Sequence, residues 1–402
     1  MRILFVHRTM PGPFGHLIQH LPRDGQHQVA CVTGQADFRP PGVGRVIYEV
    51  PEATIPPDPF MSPLEAAVRH GVQVAKACEA LRTNGYRPDL IVAHPECGES
   101  LYLKDVYPDV PVLVYCAFFH HARGAGVNFD PADQQDLMAD CVTRTRNAHQ
   151  LLALDSADWG YSPTQWQRSR FPRDWQQRIS VAFDGIDTDA IQPDPEAVVA
   201  LSDGTELRAG QEIVTYAAKG LEPYRGFPQF FRALPAILAA RPDAQVVIVG
   251  NDATIHGKPP SGGGTWRGRL QQEVSVDPRR VHFLGRVARE DYWRLLRVSA
   301  VHVYLTVPSA LSRSMIEAMA AGCLVVGSAT PPVREVIEHG RNGLLVDFFD
   351  PGGIAEAVIR VLGDPEGVRF LRQAARWTAL ERYALEVCLP RQVSLLERVA
   401  QG

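Results

Sequence analysis

The feature of this sequence that most restricts its fold is the regular alternation of short, wholly apolar runs with longer stretches of helical periodicity. The apolar runs are rich in β-branched residues and lie at 3–7, 28–33, 45–50, 90–95, 112–119, 213–218, 244–252, 280–287, 301–307 and 323–329. Runs without polar alternation are typical of strands buried on both faces of a sheet. Between them, stretches such as 64–85 and 227–242 have helical spacing. The alternation therefore predicts an α/β fold with parallel sheets and right-handed crossovers.

The domain organisation follows from length and from one irregular segment. A chain of 402 residues exceeds what one ordinary core holds. Residues 191–212 carry Pro, Asp and Gly, which predicts a linker with a small glycine-tipped hairpin. We expect a first domain at 1–190, joined by a C-terminal helix at about 380–402, and a second domain at 213–379. Both should be doubly wound and face each other across a cleft, with ligands beyond the carboxyl ends of the strands.

Composition excludes several classes of protein. The formal net charge of −4 argues against a protein that acts mainly on nucleic acid. No run of eighteen apolar residues occurs to predict a membrane span, and the N-terminus is expected to form a strand rather than a signal peptide. The seven cysteines are scattered without a CxxC pair, which is typical of buried, reduced thiols and offers no finger-type metal site. We therefore expect a cytoplasmic protein.

Four segments in the same order along the chain resemble those of a known family. They are SPTQWQRSRF with ISVAFDGIDTDAIQP, AAKGLEPYRGFPQFFRALP, VHFLGRV, and EAMAAG followed by residues 324–351. Together they resemble glycosyltransferase family 4, the retaining GT-B enzymes that use sugar nucleotides. The resemblance is close from about residue 150 to 360 and covers the first domain only in outline. It implies GT-B architecture, with two Rossmann-like domains.

The resemblance also implies a reaction. A UDP- or GDP-linked sugar would be transferred to an acceptor with retention of anomeric configuration, and no cofactor or catalytic metal would be needed. The acceptor would be a glycan, a lipid-linked molecule or a small molecule, and nucleic acid would not be a partner. Peripheral membrane contact and a homodimer are left open. The alternatives are a non-catalytic nucleotide-sugar-binding homologue and a GT-B epimerase or phosphorylase.

Two basic residues follow the strand predicted at 213–218. Lys219 and Arg225 flank a proline-containing turn where a parallel sheet presents its ligand edge. A diphosphate leaving group needs fixed positive charge, and arginine can contact two of its oxygens at once. The resemblance places an Arg and a Lys here, and this chain has the two in reverse order. Both are therefore candidate catalytic residues, although ordinary surface cations are the alternative.

A single carboxylate, Glu317, lies in the apolar helix predicted by SRSMIEAMAAG. Carboxylates accept both hydroxyls of a ribose, and the resemblance assigns this role to Glu317. The backbone amides of Leu311, Ser312 and Arg313 would then point at the distal phosphate and the donor sugar. The base would lie against the backbone of the predicted turn formed by Gly285, Arg286 and Val287.

The family motif has a second Glu eight residues before Glu317, and this chain has Ser309 there. A serine cannot supply a charged acceptor for the hydroxyls of the donor sugar. Altered contacts to that sugar are the favoured interpretation. An unusual donor and impaired catalysis are the alternatives.

The first domain offers weaker candidates. In MPGPFGHL, Gly15 matches a small residue that lets the backbone approach the donor, and Gly12 is a less certain match. Family members place a histidine near the transferred sugar, and His120 and His121 fit that position equally well. In HPECGES, Glu96 and Glu99 are candidate acceptor-site acids or ordinary loop residues.

Two further segments invite a function that we discount. Asp187-Thr188-Asp189 looks like a metal-binding DxD motif, but it lies in the interdomain passage and we interpret it as structural. Residues 165–178 mix Trp and Arg as a membrane-surface helix does. Pro172 interrupts that helix, so a solvated helix end with partly buried Trp is the preferred interpretation.

Overall fold

The computed structural model describes residues 1–50, 52–53, 56–132 and 134–402. The chain forms two compact units, one of Met1–Gly185 with Leu385–Gly402 and one of Ile186–Ala384. Ile186 and Ala384 form a parallel bridge, so both ends of the second unit lie side by side. Among the described residues, no helix combines the length and the apolar character that a membrane crossing requires.

The first unit contains a parallel sheet of seven strands in its described residues, in the order β3-β2-β1-β4-β5-β6-β7. The strands are β1 Arg2–Val6, β2 Gln28–Thr33, β3 Val43–Ile47, β4 Leu90–Ala93, β5 Val112–Tyr115, β6 Trp159–Ser162 and β7 Ile179–Val181. The α-helices are α1 Gly15–His20, α2 Ser62–Thr83, α3 Leu103–Val106, α4 Leu137–Thr145, α5 Ala148–Ser156, α6 Gln165–Ser169 and α7 Arg173–Gln176. The five predicted runs of this unit therefore correspond to β1 to β5, and β6 and β7 extend the sheet beyond them.

Strand β1 shows why its sequence is continuously apolar. Leu4 and Val6 pack into a core on one face of the sheet, whereas Ile3 and Phe5 pack into a second core on the other face. Because side chains alternate between the faces of a strand, burial on both faces removes polar alternation.

The second unit contains a hairpin and a six-stranded parallel sheet in the order β12-β11-β10-β13-β14-β15. The strands are β8 Val198–Ala200 and β9 Glu206–Arg208 in the hairpin, then β10 Ile213–Gly220, β11 Gln245–Asn251, β12 Val281–Gly285, β13 Val301–Tyr304, β14 Leu324–Ser328 and β15 Leu344–Val346. The α-helices are α8 Phe227–Ala240, α9 Trp266–Glu273, α10 Arg289–Val298, α11 Arg313–Ala320, α12 Pro331–Arg334, α13 Pro351–Gly363 and α14 Arg369–Tyr383.

The C-terminal helix α15, Leu385–Gln401, belongs to the first unit. Its Leu395, Leu396 and Val399 lie in the core that also contains Phe14 and Leu17. The helix continues through Pro390. Burial of this apolar face stabilises the return of the chain to the first unit.

Residues 191–212 differ from the expected linker. The hairpin β8–β9 is present, but Leu201 and Leu207 are buried in one cluster with Ile213, Val247 and Leu295. The segment is therefore part of the second unit, because its apolar side chains complete the packing beside β10 and α10.

Strand order reverses at one point in each sheet, between β1 and β4 and between β10 and β13. At such a point the two crossovers leave on opposite faces, and a crevice opens beyond the carboxyl ends of the two strands. These two switch points are where ligand-binding side chains are expected.

Candidate functional site

Arg225 is held at the switch point of the second unit by its backbone. It ends a 3₁₀ turn, Pro223–Arg225, and its carbonyl accepts a hydrogen bond of 2.8 Å from the Tyr216 hydroxyl. Gly226 follows with φ of 67°, and a Cβ there would lie 2.4 Å from the Leu305 Cβ. Only glycine fits this close approach in a left-handed conformation. The glycine therefore fixes the backbone conformation of the turn, and this conformation fixes the position of the Arg225 backbone.

The guanidinium of Arg225 joins the two switch-point strands. Its Nη1 donates a 2.8 Å hydrogen bond to Oγ1 of Thr306, which follows β13. No carboxylate among the described residues forms an ion pair with Arg225, Lys219 or Arg313. Arginines elsewhere in this unit do pair with acids, as Arg232 does with Glu273. These three cations therefore remain without an ion pair among the described residues and are available to an anion.

Sequence reasoning missed Glu222, which lies between the two predicted cations. Its side chain is 1% exposed and accepts backbone N–H groups of Ile255, His256 and Gly257 at 2.9, 3.0 and 3.1 Å. A buried carboxylate with three such donors is satisfied without a cation. Glu222 therefore fixes the 255–257 loop and forms no ion pair with Lys219 or Arg225. The only signal in the sequence was one acid between two cations at a strand end.

Ser309 belongs to a buried network of hydroxyl groups. Its Oγ lies 3.0 Å from Oγ1 of Thr306. Thr306 and Ser309 are 0% and 2% exposed. The network is neutral and continues directly into Arg225 through Thr306.

The start of α11 differs in one respect from the expectation. Ser312 is the N-cap residue and accepts the Ser314 N–H at 3.3 Å, while its own amide donates to the Tyr304 hydroxyl at 3.0 Å. The Ser312 amide is therefore already satisfied within the chain, unlike the free donor that the sequence suggested. Leu311 and Arg313 flank it at the same helix end.

Glu317 is buried, at 6% exposure, on the predicted helix. Its Oε1 pairs with Nη2 of Arg289 at 3.0 Å, and Arg289 begins α10 directly after the turn of Gly285, Arg286 and Val287. The small residues around Glu317 allow α11 to pack closely, and Arg289 satisfies the carboxylate. The structure thus brings the predicted ribose carboxylate beside the predicted base-binding turn. Sequence reasoning did not identify Arg289.

The switch point of the first unit has a different chemistry. His7 follows β1 and His94 follows β4, and their rings stack with centroids 4.7 Å apart. Glu99 is fully buried, lies 3.5 Å from His7 Nδ1, and accepts the N–H groups of Arg8 and Cys97 at 2.8 and 2.9 Å. Of the two candidate acids in this loop, Glu99 is thus structural, while the Glu96 side chain is exposed.

Burial has opposite consequences for the charged groups of this cluster. Burial, with a smaller contribution from His7, lowers the pKa of His94 to about 3. Burial raises the pKa of Glu99, but the close approach of His7 and the neighbouring His94 outweigh burial, and the pKa lies below its usual value. At neutral pH the cluster therefore contains a neutral His94 and an ionised Glu99.

The two candidate histidines after β5 are distinguished by their partners. His121 Nε2 donates to the Arg170 carbonyl at 2.6 Å, so its ring is engaged within the chain. His120 is fixed through its backbone, because Asn147 accepts its N–H and donates to its carbonyl, both at 2.8 Å. Burial lowers the pKa of His120 to about 4. A neutral His120 ring is therefore the better placed of the two to contact a ligand.

The glycine that the first loop requires is Gly12 rather than Gly15. Gly12 has φ of 51°, and a Cβ there would lie 2.5 Å from Cδ2 of His7. Gly15 has an ordinary helical conformation at the start of α1, where a Cβ would make normal contact with Pro11. Gly12 thus couples this loop to the histidine pair.

The two segments discounted from the sequence have structural roles. The Asp187 side chain accepts the Ala190 N–H at 2.9 Å and closes a turn. In 165–178, Phe171 is buried and Trp175 packs against the core, with the Arg178 guanidinium 4.3 Å from the Trp175 ring centroid. These contacts agree with the structural interpretation of each segment, and the absence of a metal or membrane role stays a prediction.

Comparison with known families shows to which family the chain belongs. Residues 25–191 match the glycosyl transferase family 4 group, and residues 211–364 match the glycosyl transferases group 1. The chain belongs to this family of glycosyltransferases. The family resemblance inferred from the sequence is thereby confirmed.

Curated relatives match parts of the chain. The phosphatidyl-myo-inositol mannosyltransferase of Mycolicibacterium smegmatis is 27% identical over 49% of this chain and 48% of its own length. The N-acetyl-alpha-D-glucosaminyl L-malate synthase of Bacillus anthracis is 32% identical over 27% of this chain and 28% of its own length. The chain thus spans about half, or less, of the length of these two relatives.

Solved structures match the whole chain in fold. Sucrose-phosphate synthase of Thermosynechococcus elongatus superposes with a TM-score of 0.72 at 18% identity, covering 99% of both chains. The Anabaena protein HepE in complex with UDP-glucose has a TM-score of 0.69 at 16% identity, covering 99% of this chain and 100% of that one. The predicted GT-B fold class, with two Rossmann-like parallel-sheet domains, is confirmed.

Proposed function

We propose that this protein transfers a sugar from a UDP- or GDP-linked donor to an acceptor, with retention of anomeric configuration and without a metal or cofactor. The observation that carries the proposal is that Lys219, Arg225 and Arg313, which follow the switch-point strands of the second unit, form no ion pair among the described residues. Its relatives and fold neighbours support it: one relative is a mannosyltransferase, and HepE is seen with UDP-glucose.

The donor would lie along one path in the second unit. Glu317 would accept the ribose hydroxyls, and the backbone from Gly285 to Val287 would contact the base. The Glu317 carboxylate is paired with Arg289, so a bound ribose would have to share that carboxylate with Arg289. The diphosphate would lie toward Lys219 and Arg225.

The chemical step uses charge rather than a side-chain base. The bond between the anomeric carbon and the phosphate oxygen breaks, and Lys219 and Arg225 stabilise the charge that develops on the leaving diphosphate. The acceptor hydroxyl attacks on the same face of the sugar, and its proton passes to the departing diphosphate oxygen. The first unit would hold the acceptor, a glycan, lipid-linked or small molecule, with the neutral His120 ring near it.

The experiment is to incubate the protein with UDP- and GDP-sugars labelled in the sugar and to follow nucleotide release and product configuration. Release of nucleotide with an α-linked product from an α-linked donor, unchanged by a chelator, is the expected result. Inversion would contradict retention, and loss of activity with the chelator would contradict metal independence.

A binding protein without activity is the second candidate, and Ser309 favours it because this position has lost a carboxylate. Such a protein would be stabilised by a nucleotide sugar through mass action but would release no nucleotide with any acceptor. The same incubation, read together with thermal unfolding, separates the two functions.

A further inference from the structure

We propose that Arg289 is a positioning residue for the nucleotide: it holds one oxygen of the Glu317 carboxylate and thereby presents the other oxygen to the ribose. This inference rests on the proposed function, because it assumes that Glu317 accepts the ribose hydroxyls. Three features carry it: the single donor to a buried carboxylate, the open second oxygen, and the two contacts that fix the Arg289 side chain.

Glu317 differs from the other buried glutamates in what holds it. Backbone N–H groups hold both Glu99 and Glu222, and each of these carboxylates fixes a loop. Glu317 is 6% exposed and accepts one hydrogen bond from the described residues, from Nη2 of Arg289 to its Oε1. An ionised carboxylate has about four acceptor positions, so Glu317 keeps most of its capacity for a ligand.

The second oxygen of Glu317, Oε2, is open. It accepts no hydrogen bond from the described residues and is not sealed in the interior, so it reaches the surface of the second unit. Arg313 lies four residues before Glu317 on α11 but forms no ion pair with it. An acid that follows its basic partner at this spacing is in the weaker orientation. The partner of the carboxylate therefore comes from another helix.

The Arg289 side chain is fixed by two contacts. Arg289 begins α10, and its guanidinium lies 4.9 Å from the ring centroid of Trp293, one helical turn further along. The aromatic face attracts the guanidinium. Trp293 and Glu317 together restrict the rotation of the guanidinium, and the guanidinium in turn restricts the rotation of the carboxylate. Oε2 is thus held in one direction before a ligand binds, which lowers the cost of ordering it on binding.

A positioning role and a competing role predict opposite effects. Without Arg289, the Glu317 carboxylate would be buried without a partner and free to rotate, and the ribose would lose a fixed acceptor. If Arg289 only competed with the ribose, its removal would free the carboxylate and tighten nucleotide binding. The open Oε2 favours the positioning role, since the ribose has an acceptor without displacing Arg289.

The test compares nucleotides that have or lack a ribose hydroxyl, by calorimetric titration. UDP and GDP are titrated beside their 2′-deoxy and 3′-deoxy forms, and the deoxy penalty is the dissociation constant of the deoxy form divided by that of the parent. In the wild type we expect a penalty of at least about tenfold for one deoxy form, the magnitude of a hydrogen bond to a charged group. In Arg289→Met we expect weaker binding of the parent nucleotide and a penalty of about threefold or less.

Arg289→Lys tests rescue by the conservative variant. Only one nitrogen of Arg289 contacts Glu317, so the lysine ammonium can replace it, and the penalty should stay within about twofold of the wild type. Arg294→Gln, which changes an exposed arginine paired with Asp291 on the same helix, is the control and should keep the penalty. An unchanged penalty in Arg289→Met, tighter binding in Arg289→Met, or an equal fall in Arg294→Gln would overturn the inference.

Trp293→Leu keeps the inference testable if Arg289→Met fails to fold. The indole Nε1 of Trp293 has no hydrogen-bond partner among the described residues, so leucine leaves no group unpaired. With Arg289 and Glu317 both present, loss of the ring should lower the penalty at least about twofold, because the guanidinium is less restricted. A penalty that equals the wild-type value in Trp293→Leu would then overturn the inference.

Failure of the proposed function looks different. If neither UDP nor GDP binds the wild type, the donor site itself is absent. If a nucleotide binds the wild type with no deoxy penalty, Glu317 does not contact the ribose, and the proposed role of Glu317 fails. Only a penalty that is present in the wild type and independent of Arg289 contradicts the positioning role alone.

Discussion

The two units have the same kind of sheet, but their switch points have opposite electrostatics. Between β1 and β4 the first unit places the stacked rings of His7 and His94 beside a buried, ionised Glu99. Between β10 and β13 the second unit places Arg225 on the neutral hydroxyl of Thr306. The carboxylate at the switch point of the first unit is thus buried and hydrogen-bonded. Arg225 at the switch point of the second unit forms no ion pair among the described residues, and its guanidinium is hydrogen-bonded to a neutral hydroxyl.

The difference shows what the fold contributes and what it does not. Both sheets open a crevice at the same topological position, which is a property of the strand order. What binds there is set by the few side chains that follow the strands. Unpaired cations suit an anion, whereas the neutral rings of His94 and His120 offer no such charge.

The strongest test of this difference removes the positive charge of the second unit. Replacing both Lys219 and Arg225 by Ala should reduce nucleotide release from the donor at least about a thousandfold, since removal of one preorganised group at a developing charge costs a hundredfold or more. Turnover is measured at saturating donor. Arg294→Gln serves as the matched charge control, and activity retained in the double variant would place the phosphate site elsewhere.

A second test concerns the internal charge of the first unit. Glu99→Ala leaves the N–H groups of Arg8 and Cys97 without their acceptor and should destabilise the fold by about 3 kcal/mol. Urea unfolding measures the change. Glu96→Ala, three residues earlier with an exposed side chain, should change stability by no more than about 0.5 kcal/mol. Equal effects of the two variants would show that Glu99 is an ordinary loop residue.

A third test uses pH. The pKa of His94 is lowered from 6.5 to about 3 on folding, so the unfolded chain takes up a proton first as the pH falls. The stability linked to His94 is fully present above pH 6.5 and is lost below it, by about 2 kcal/mol at pH 5. His94→Gln should remove this part of the difference in stability between pH 7.5 and pH 5. His20→Gln, an exposed histidine, should not, and an unchanged profile in His94→Gln would contradict the burial argument.

The sheets were predictable because burial on both faces leaves a simple record in the sequence. The run QVACVT at 28–33 forms β2 with the same bounds, and the helix predicted around Glu317 forms α11. The short strands β6 and β7 were less clear, since each has only three or four residues to establish a pattern. In residues 191–212 the sequence predicted the hairpin but not its packing, because it does not show what Leu201 and Leu207 contact.

For the candidate site, the sequence indicated residues but not their contacts. Lys219, Arg225 and Glu317 were identified from their places after strands and from the family motif. Arg289 was not, because it lies 28 residues from Glu317 and only the tertiary fold pairs them. The satisfied state of the Ser312 amide and the role of Glu222 also depend on distant groups that a local pattern does not contain.

The central claim is that the second unit binds the nucleotide through Glu317 and the cationic edge. Calorimetric titration of UDP and GDP into the wild type and into Glu317→Ala tests it most directly, with Arg294→Gln as the control. We predict that Glu317→Ala weakens binding of the preferred nucleotide by about tenfold, near 1.4 kcal/mol, because one charged acceptor for the ribose is lost. Unchanged affinity in a folded Glu317→Ala variant would contradict the account.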